Sequence, residues 1–188
     1  KEFEQDSLSL QAIEKEADRQ VRSGDLLSVP VSPGNGLQLL VSRQSYNAEK
    51  SIIRHVLEGK EAVTPLMDKV PDAQLAGLTD GQRSATRMIL ESPDRFTLVQ
   101  GYAGVGKTTQ FRAVMSAIGT LPEREQPRVI GVAPTHRAVS EMRDAGVPET
   151  QTLAAFIHDT QQQLRGGERT DFSNVLFLVR SEEHTSEL

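Results

Sequence analysis

The sequence predicts an α/β protein with a mostly parallel sheet that carries helices on both faces. Apolar runs of strand length occupy residues 95–100, 129–133 and 175–179, and helical segments lie between them. Parallel strands need a crossover connection, usually a helix, so this alternation is typical of βαβ units. A second observation agrees, because the first of these runs leads through a glycine-rich loop into a helical segment. We therefore expect a doubly wound sheet from residue 78 onward.

Four helices are predicted beside these strands. They cover residues 79–90, 106–118, 135–145 and 153–164. The strand at 129–133 reads Val-Ile-Gly-Val-Ala, an uninterrupted apolar run that is typical of a strand buried on both faces.

The N-terminal segment has a different organisation. Residues 1–22 predict a helix that ends near Gly24. The runs 27–32 and 37–41 flank the turn-rich residues 33–36, Pro-Gly-Asn-Gly, and predict a β-hairpin. The apolar stripe of the first helix consists of Leu10, Ile13, Ala17 and Val21.

A second helix is expected over residues 48–57, with Gly59 ending it. Residues 60–77 are interrupted by Pro65 and Pro71 and indicate a connector. The apolar residues of the second helix, which we expect to face inward, are Ile52, Ile53, Val56 and Leu57.

Composition favours a soluble cytoplasmic protein without membrane insertion. Hydrophobic residues make up 37% of the 188 residues and charged residues 25%, and no apolar run approaches the roughly 18 residues of a membrane span. Cysteine is absent, which excludes disulfides and thiolate chemistry. The net charge of -5 argues against a generally basic coat for nucleic acid but leaves a local basic face possible.

The clearest chemical signal is the octapeptide 101–108, Gly-Tyr-Ala-Gly-Val-Gly-Lys-Thr, which matches G-x-x-x-x-G-K-[ST]. Glycines let the backbone curl around phosphate groups, and the helix starting near Gly106 directs its positive end at them. Lys107 is expected to bridge the β- and γ-phosphates, and the Thr108 hydroxyl to coordinate Mg²⁺ bound to the nucleotide. This order of residues favours a nucleotide site over a glycine-rich turn with an incidental lysine. The residues assigned to ATP are Gly101, Ala103, Gly104, Val105, Gly106, Lys107, Thr108 and Thr109, with Lys107 and Thr108 as the catalytic pair.

Gln82 supports two interpretations. Its side-chain amide precedes the loop and could recognise the adenine edge through a paired donor and acceptor. Thr79 and Gln82 also form a capping-box pattern, which explains the glutamine by helix capping alone. The residues by themselves leave both interpretations open.

Polar and basic residues follow the strand at 129–133 directly. Open α/β sheets bind ligands at the carboxyl ends of their strands, so these side chains are candidates for ligand contact. A solvated helix face explains the same residues without a ligand. The residues concerned are Pro134, Thr135, His136 and Arg137.

Three segments taken together resemble a known family. Residues 78–82, 101–108 and 133–138 look like the Q motif, motif I and motif Ia of superfamily 1 helicases of the RecD-like branch, and their order and spacing match. From about residue 1 to Leu178, the amino-acid sequence is similar to the helicase region of conjugative relaxase-helicases of F-type plasmids.

The resemblance implies a P-loop NTPase of RecA-like fold that uses ATP and Mg²⁺ to move 5′ to 3′ along single-stranded DNA. It implies that Gln82 contacts adenine, Lys107 the phosphates and Thr108 the metal. The implied partners are single-stranded DNA and the conjugative transfer machinery, and the parent proteins also carry a separate DNA-nicking domain. The residues implied to lie beside the DNA are Pro134, Thr135, His136, Arg137 and Thr152.

The chain departs from this family after the strand at 175–179. In the family, the strand runs into an Asp-Glu pair that holds Mg²⁺ and orients the attacking water. Here Arg180 follows, and the acidic residues Glu182 and Glu183 are displaced. We also expect the given sequence to lack the second RecA-like domain of the family. We therefore expect a fragment that binds ATP weakly and lacks helicase activity.

The last nine residues match the in-frame translation of a common sequencing-library adapter. We expect a non-native tail, with an ordinary polar tail as the alternative. The sequence then divides into an accessory segment of residues 1–77, an incomplete first motor domain of residues 78–179 and a tail of residues 180–188.

A second class of function stays open. The chain could be a stand-alone module that binds nucleotide or single-stranded DNA without hydrolysis. Two Tyr and six Phe are the only aromatic residues, so platforms for base stacking are few. A small P-loop kinase would need an arginine-rich lid and an acceptor-binding carboxylate, and neither is visible.

Overall fold

The computed structural model describes residues 10–30, 38–100 and 106–181, without the side chain of Lys107. Residues 1–9 of the first predicted helix, the predicted turn at 33–36, the glycine-rich residues 101–105 and the tail residues 182–188 lie outside the described residues. The chain divides into two compact units, Lys1–Lys60 and Glu61–Leu188.

The first unit is a helix, a hairpin and a second helix, as predicted. Strands β1 and β2 pair antiparallel from Leu26 opposite Ser42 to Pro30 opposite Gln38. The second helix begins earlier than its apolar pattern indicated, because the Ser42 hydroxyl accepts a hydrogen bond from the Ser45 backbone N–H at 3.0 Å and caps it. The elements are α1 (Leu10–Ser23), β1 (Leu26–Pro30), β2 (Gln38–Ser42) and α2 (Arg43–Glu58).

The predicted inward face of α2 is exposed, which corrects the sequence-based expectation. No described residue of α1 or α2 is buried. A helix buries its apolar stripe only against a second layer, and one two-stranded hairpin offers little area for that. The exposed fractions are 62% for Ile52, 61% for Ile53, 42% for Val56 and 60% for Leu57.

The second unit is an α/β arrangement around a parallel sheet, which confirms the predicted fold class. Its described strands follow the order β4-β3-β5, and β3 pairs parallel with both neighbours. The elements are α3 (Asp72–Leu75), α4 (Asp80–Glu91), α5 (Lys107–Ile118), β3 (Arg128–Ala133), α6 (His136–Asp144), β4 (Glu149–Thr152), α7 (Leu153–Arg165) and β5 (Val175–Val179).

Two strands differ from the prediction. Residues 95–100, predicted as a strand, pair with no described strand, and Leu98 is 90% exposed. An apolar run by itself was therefore not sufficient to predict a strand of the sheet. Strand β4 was missed because its sequence, Glu-Thr-Gln-Thr, is polar, and it is ordered by backbone pairing with β3. β-Structure depends on cross-strand partners more than on a strand's own composition.

The segment predicted as a connector packs within the second unit. It contains α3, and its apolar side chains Met67, Val70 and Leu75 are buried in the main core. The unit boundary therefore lies between Lys60 and Glu61, whereas the sequence placed a division after Gly77.

The core of the second unit joins the helices that carry the candidate site residues. Leu90 of α4, Val114 of α5 and Met142 of α6 are each 0% exposed and belong to one cluster. Because α5 and α6 pack in the same cluster, their first residues are held at fixed positions relative to each other.

An ion pair links the two strands that lead to the sheet's carboxyl edge. Arg128 of β3 donates from Nε and Nη2 to the two carboxylate oxygens of Glu149 of β4, at 2.7 and 2.5 Å. The Arg128 guanidinium holds the pKa of Glu149 below its usual value of 4.5. A lowered pKa in the folded state means that the pair stabilises the fold above about pH 4.5, and that this stabilisation is lost as pH falls through the folded-state pKa.

Replacement of Glu149 by Gln is expected to reduce the loss of stability between pH 5 and pH 2. The neutral side chain no longer takes up a proton on unfolding in that range. Urea denaturation at stepped pH measures this, with Glu168→Gln as the control, because Glu168 makes no ion pair with a described residue. An unchanged pH dependence in Glu149→Gln would contradict the assignment.

Candidate nucleotide and DNA site

The glycine-rich loop enters α5 through a sharp backbone turn at Gly106. This residue precedes Lys107 with φ of 81°, in the left-handed region that favours glycine. A Cβ built on Gly106 would lie 2.7 Å from Nε2 of Gln82. Gly106 makes no side-chain cap, so the first N–H groups of α5 receive no hydrogen bond from the cap residue.

Gln82 lies against this turn. Its Oε1 accepts a hydrogen bond from the Thr79 backbone N–H at 3.0 Å, and its backbone N–H donates to Oγ1 of Thr79 at 3.3 Å. The predicted capping box is therefore present. The Nε2 of Gln82 also donates to the Gly106 carbonyl oxygen at 3.5 Å. Helix capping thus accounts for Oε1 of Gln82, while Nε2 reaches Gly106, the residue that directly precedes α5.

The remaining residues assigned to ATP are only partly described. Thr108 is half-buried and Thr109 is exposed, both in the first turn of α5. Gly101, Ala103, Gly104 and Val105 lie outside the described residues. The structure therefore brings together Gln82, Gly106 and the first turn of α5.

The candidate DNA residues lie at one edge of the sheet. Thr135 caps α6, and its Oγ1 accepts a hydrogen bond from Ala138 N–H at 3.3 Å. Thr152 caps α7 in the same way, accepting from Ala155 N–H at 3.2 Å. Because Ala133 at the end of β3 is the register partner of Thr152, these two helix starts are neighbours. Pro134, His136 and Arg137 are exposed at the start of α6.

Arg137 belongs to an ionic cluster that the sequence analysis missed. Its Nε donates to Glu141 at 3.3 Å, and the other oxygen of Glu141 accepts from Nη1 of Arg180 at 2.5 Å. The hydrogen bond from Arg180, and then its charge, lowers the pKa of Glu141. The spacing of Arg137 and Glu141, four residues apart on a helix, was a signal that could have revealed the first pair.

The donor set fits the phosphates of a nucleotide better than it fits Mg²⁺. The start of α5 offers backbone N–H groups with no side-chain cap. Among described residues, no group of three or more His, Cys, Asp or Glu could hold a metal. Arg180 follows β5 directly, and its backbone N–H donates to the Val132 carbonyl at 3.0 Å. For Mg²⁺ the described site supplies the Thr108 hydroxyl, and the other oxygens would come from the nucleotide and water.

Comparison with known proteins decides the family. The family model for the AAA domain matches residues 77–181, which are more than half of the chain. The chain belongs to the AAA domain family. This membership agrees with the parallel sheet, and it supports P-loop nucleotide binding by the AAA domain described above.

The same comparisons found two close relatives of this AAA domain chain. The chain is 68% identical over 164 residues to the multifunctional conjugation protein TraI of Escherichia coli (strain K12), covering 87% of the chain and 9% of that protein. A second TraI of Escherichia coli is 67% identical over the same length. The chain thus spans about a tenth of the length of these relatives. In the described part of the chain, no helix is both long and apolar enough to cross a membrane.

Proposed function

We propose that this chain is part of the ATP-dependent DNA helicase region of a conjugative relaxase-helicase, and that it binds ATP with Mg²⁺ and single-stranded DNA. The arrangement at Gly106 carries the proposal, because a left-handed turn opens α5 next to the side-chain amide of Gln82. The identity of 68% to a conjugation protein supports the same biological setting.

In this proposal the residues around α5 bind the nucleotide. The N–H groups at the start of α5 and the Lys107 ammonium neutralise the phosphates, and the Gln82 amide contacts the adenine edge. Bound Mg²⁺ would add charge neutralisation at the phosphates, held on the protein side by the Thr108 hydroxyl. Gln82 would then exchange its bond to Gly106 for a bond to the base, which links base recognition to the phosphate-binding turn.

The neighbouring starts of α6 and α7 provide the proposed path for DNA. Backbone N–H groups at two adjacent helix starts attract phosphodiesters, and the hydroxyls of Thr135 and Thr152 hold those starts in shape. The Arg137 side chain is 89% exposed and adds a positive charge at the start of α6. Its Nε donates a hydrogen bond to Glu141, which orients the guanidinium. Movement along the strand would be 5′ to 3′, as in the helicases that this chain resembles.

Arg180, which belongs to the expected non-native tail, follows β5 where the helicases that this chain resembles carry an acidic pair, and on that ground we propose that the given chain binds ATP with little turnover. Hydrolysis in this class of site needs an acidic group near the strand end that holds the metal and orients water. A guanidinium paired with Glu141 follows β5 instead. The same observation favours the second candidate function, a nucleotide- or DNA-binding module that does not hydrolyse ATP.

A steady-state ATPase assay with and without single-stranded DNA tests the turnover proposal. We expect no DNA-stimulated turnover above that of Lys107→Ala. Robust turnover that depends on Lys107 would overturn the proposed loss of hydrolysis.

Replacement of Arg137 by Gln is expected to weaken binding of single-stranded DNA several-fold at low salt. Loss of one phosphate contact should also lower the slope of log affinity against log salt by about 0.7. Fluorescence anisotropy with a labelled oligonucleotide at several salt concentrations measures both quantities.

Arg165→Gln is the matched control for this variant. Arg165 is the last residue of α7, about 20 Å along that helix from Thr152, so its loss should leave DNA affinity nearly unchanged. Equal effects of the two variants would mean that general charge, rather than the edge at α6, attracts the DNA.

A further inference from the structure

Both helices of the first unit carry an apolar face that is largely exposed. On α1, Leu10 is 71% and Ile13 is 51% exposed, although both belong to the apolar stripe of the helix. The apolar residues of α2 are exposed to a similar extent. Contiguous exposed apolar patches are typical of interaction surfaces. The α1 face consists of Leu10, Ile13, Ala17 and Val21, and the α2 face of Ile52, Ile53, Val56 and Leu57.

The two faces do not cover each other within one copy of the chain. Helix α1 packs against β1 and α2 packs against β2, and in this arrangement both faces stay exposed. No described apolar side chain of the first unit is buried. A segment of about 60 residues needs a buried core to offset the entropy lost on folding. The first unit therefore gains most from a partner that covers these faces.

The charges beside the two faces have opposite signs. Helical spacing places Glu14 and Asp18 beside the α1 face, and none of its cations on that edge before Arg22. The same spacing places Lys50 and Arg54 beside the α2 face. These four side chains make no ion pair with a described residue. The α2 face thus fits an apolar helix with an acidic edge, and α1 is such a helix.

One alignment of the two helices pairs all four charges. Seen from the N-terminus of each helix, the charged pair lies on the same side of the apolar face, and these sides meet when two helices pack antiparallel. Within each pair the residues are four positions apart. A single antiparallel register therefore brings Glu14 opposite Arg54 and Asp18 opposite Lys50.

We propose that the first unit is a dimerisation surface, on which α1 of one copy packs antiparallel on α2 of a second copy and the reverse. The helices have 14 and 16 residues, or about 21 and 24 Å, so the faces match in length. A two-fold axis repeats the contact and closes the assembly at two copies. Burial of the apolar faces drives association, and the charged edges select the antiparallel direction.

The apolar part of the interface is tested with Leu57→Ser and Leu164→Ser in the full 188-residue chain. Leu57 is 60% and Leu164 of α7 is 59% exposed, so the two changes are matched in chemistry and exposure. Sedimentation equilibrium without nucleotide or DNA measures the dissociation constant of the dimer. We expect Leu57→Ser to raise this constant about 30-fold, because the side chain is lost from both contacts. Leu164→Ser should leave it unchanged.

The charged edges are tested by exchanging their signs. One variant carries Lys50→Glu with Arg54→Glu, and the other carries Glu14→Lys with Asp18→Lys. Each variant alone should dimerise about tenfold more weakly, because like charges then meet at both contacts. An equimolar mixture of the two should recover the wild-type constant, because both contacts of the mixed dimer again join opposite charges. All four residues are exposed, so circular dichroism should show the wild-type fold in each variant.

Three results would overturn the proposal. A wild-type chain that stays monomeric up to about 100 μM would mean that another protein, or another part of a longer chain, covers the two faces. Equal effects of Leu57→Ser and Leu164→Ser, or aggregates without a defined size, would mean non-specific adhesion. A mixture of the charge variants that dimerises no better than either alone would exclude the pairing of α1 with α2.

Discussion

Replacement of Lys107 by Ala is expected to lower the affinity for ATP by a factor of about 10 to 100. A hydrogen bond to a charged group contributes about 1.5 to 3 kcal/mol, and each 1.4 kcal/mol is a factor of ten in affinity. Lys107 is the first residue of α5, and in the proposed site the helix start and the ammonium act on the same phosphates. Isothermal titration of ATP into the wild-type and variant chains measures the ratio.

Lys69→Ala is the control for this experiment. Lys69 is an exposed lysine of the same compact unit, and its loss removes one positive charge without touching α5. If both variants lost the same affinity, the binding would reflect net charge. If Lys107→Ala bound ATP as tightly as wild type, the site would lie elsewhere.

Replacement of Met142 by Ala is expected to lower the free energy of unfolding of the second unit by about 3 kcal/mol. Met142 of α6 is 0% exposed in the main core, and truncation of a buried Met to Ala usually costs about 2 to 5 kcal/mol. Since α6 begins with the candidate DNA residues, the variant should also weaken DNA binding. Urea denaturation followed by circular dichroism measures the stability change.

Met88→Ala provides a matched comparison with the same chemical change. Met88 of α4 is 45% exposed, so its truncation should cost less than about 1 kcal/mol. Similar losses in the two variants would mean that the packing around α6 differs from the core described above.

The sequence was most informative where a single physical requirement determines which residue type occurs at a position. The phosphate-loop motif predicts a glycine directly before Lys107, and the left-handed φ of Gly106 explains why glycine is favoured at that position. The capping box of α4 was predicted from Thr79 and Gln82, residue types that hydrogen-bond to the exposed N–H groups of a helix start. The parallel sheet followed from alternating strands and helices, because the crossover rule leaves few other arrangements.

The sequence was less informative where tertiary partners decide the outcome. Strand β4 carries no apolar pattern and exists through its pairing with β3. The apolar stripe of α2 predicted a helix correctly but could not say what lies over it. The Arg180 contact with Glu141 joins residues far apart in the chain, and no local pattern encodes it.

The most direct test of the account is a nitrogen-15 NMR titration of the wild-type chain with ATP and Mg²⁺. We expect the chemical-shift changes to concentrate at the backbone amides of residues 101–109 and at the side-chain amide of Gln82. The polar cavity of about 330 Å³ beside Arg128 and Arg169 should stay unaffected. Shifts confined to that cavity, or no shifts at saturating ATP, would contradict the claim that the start of α5 binds the nucleotide.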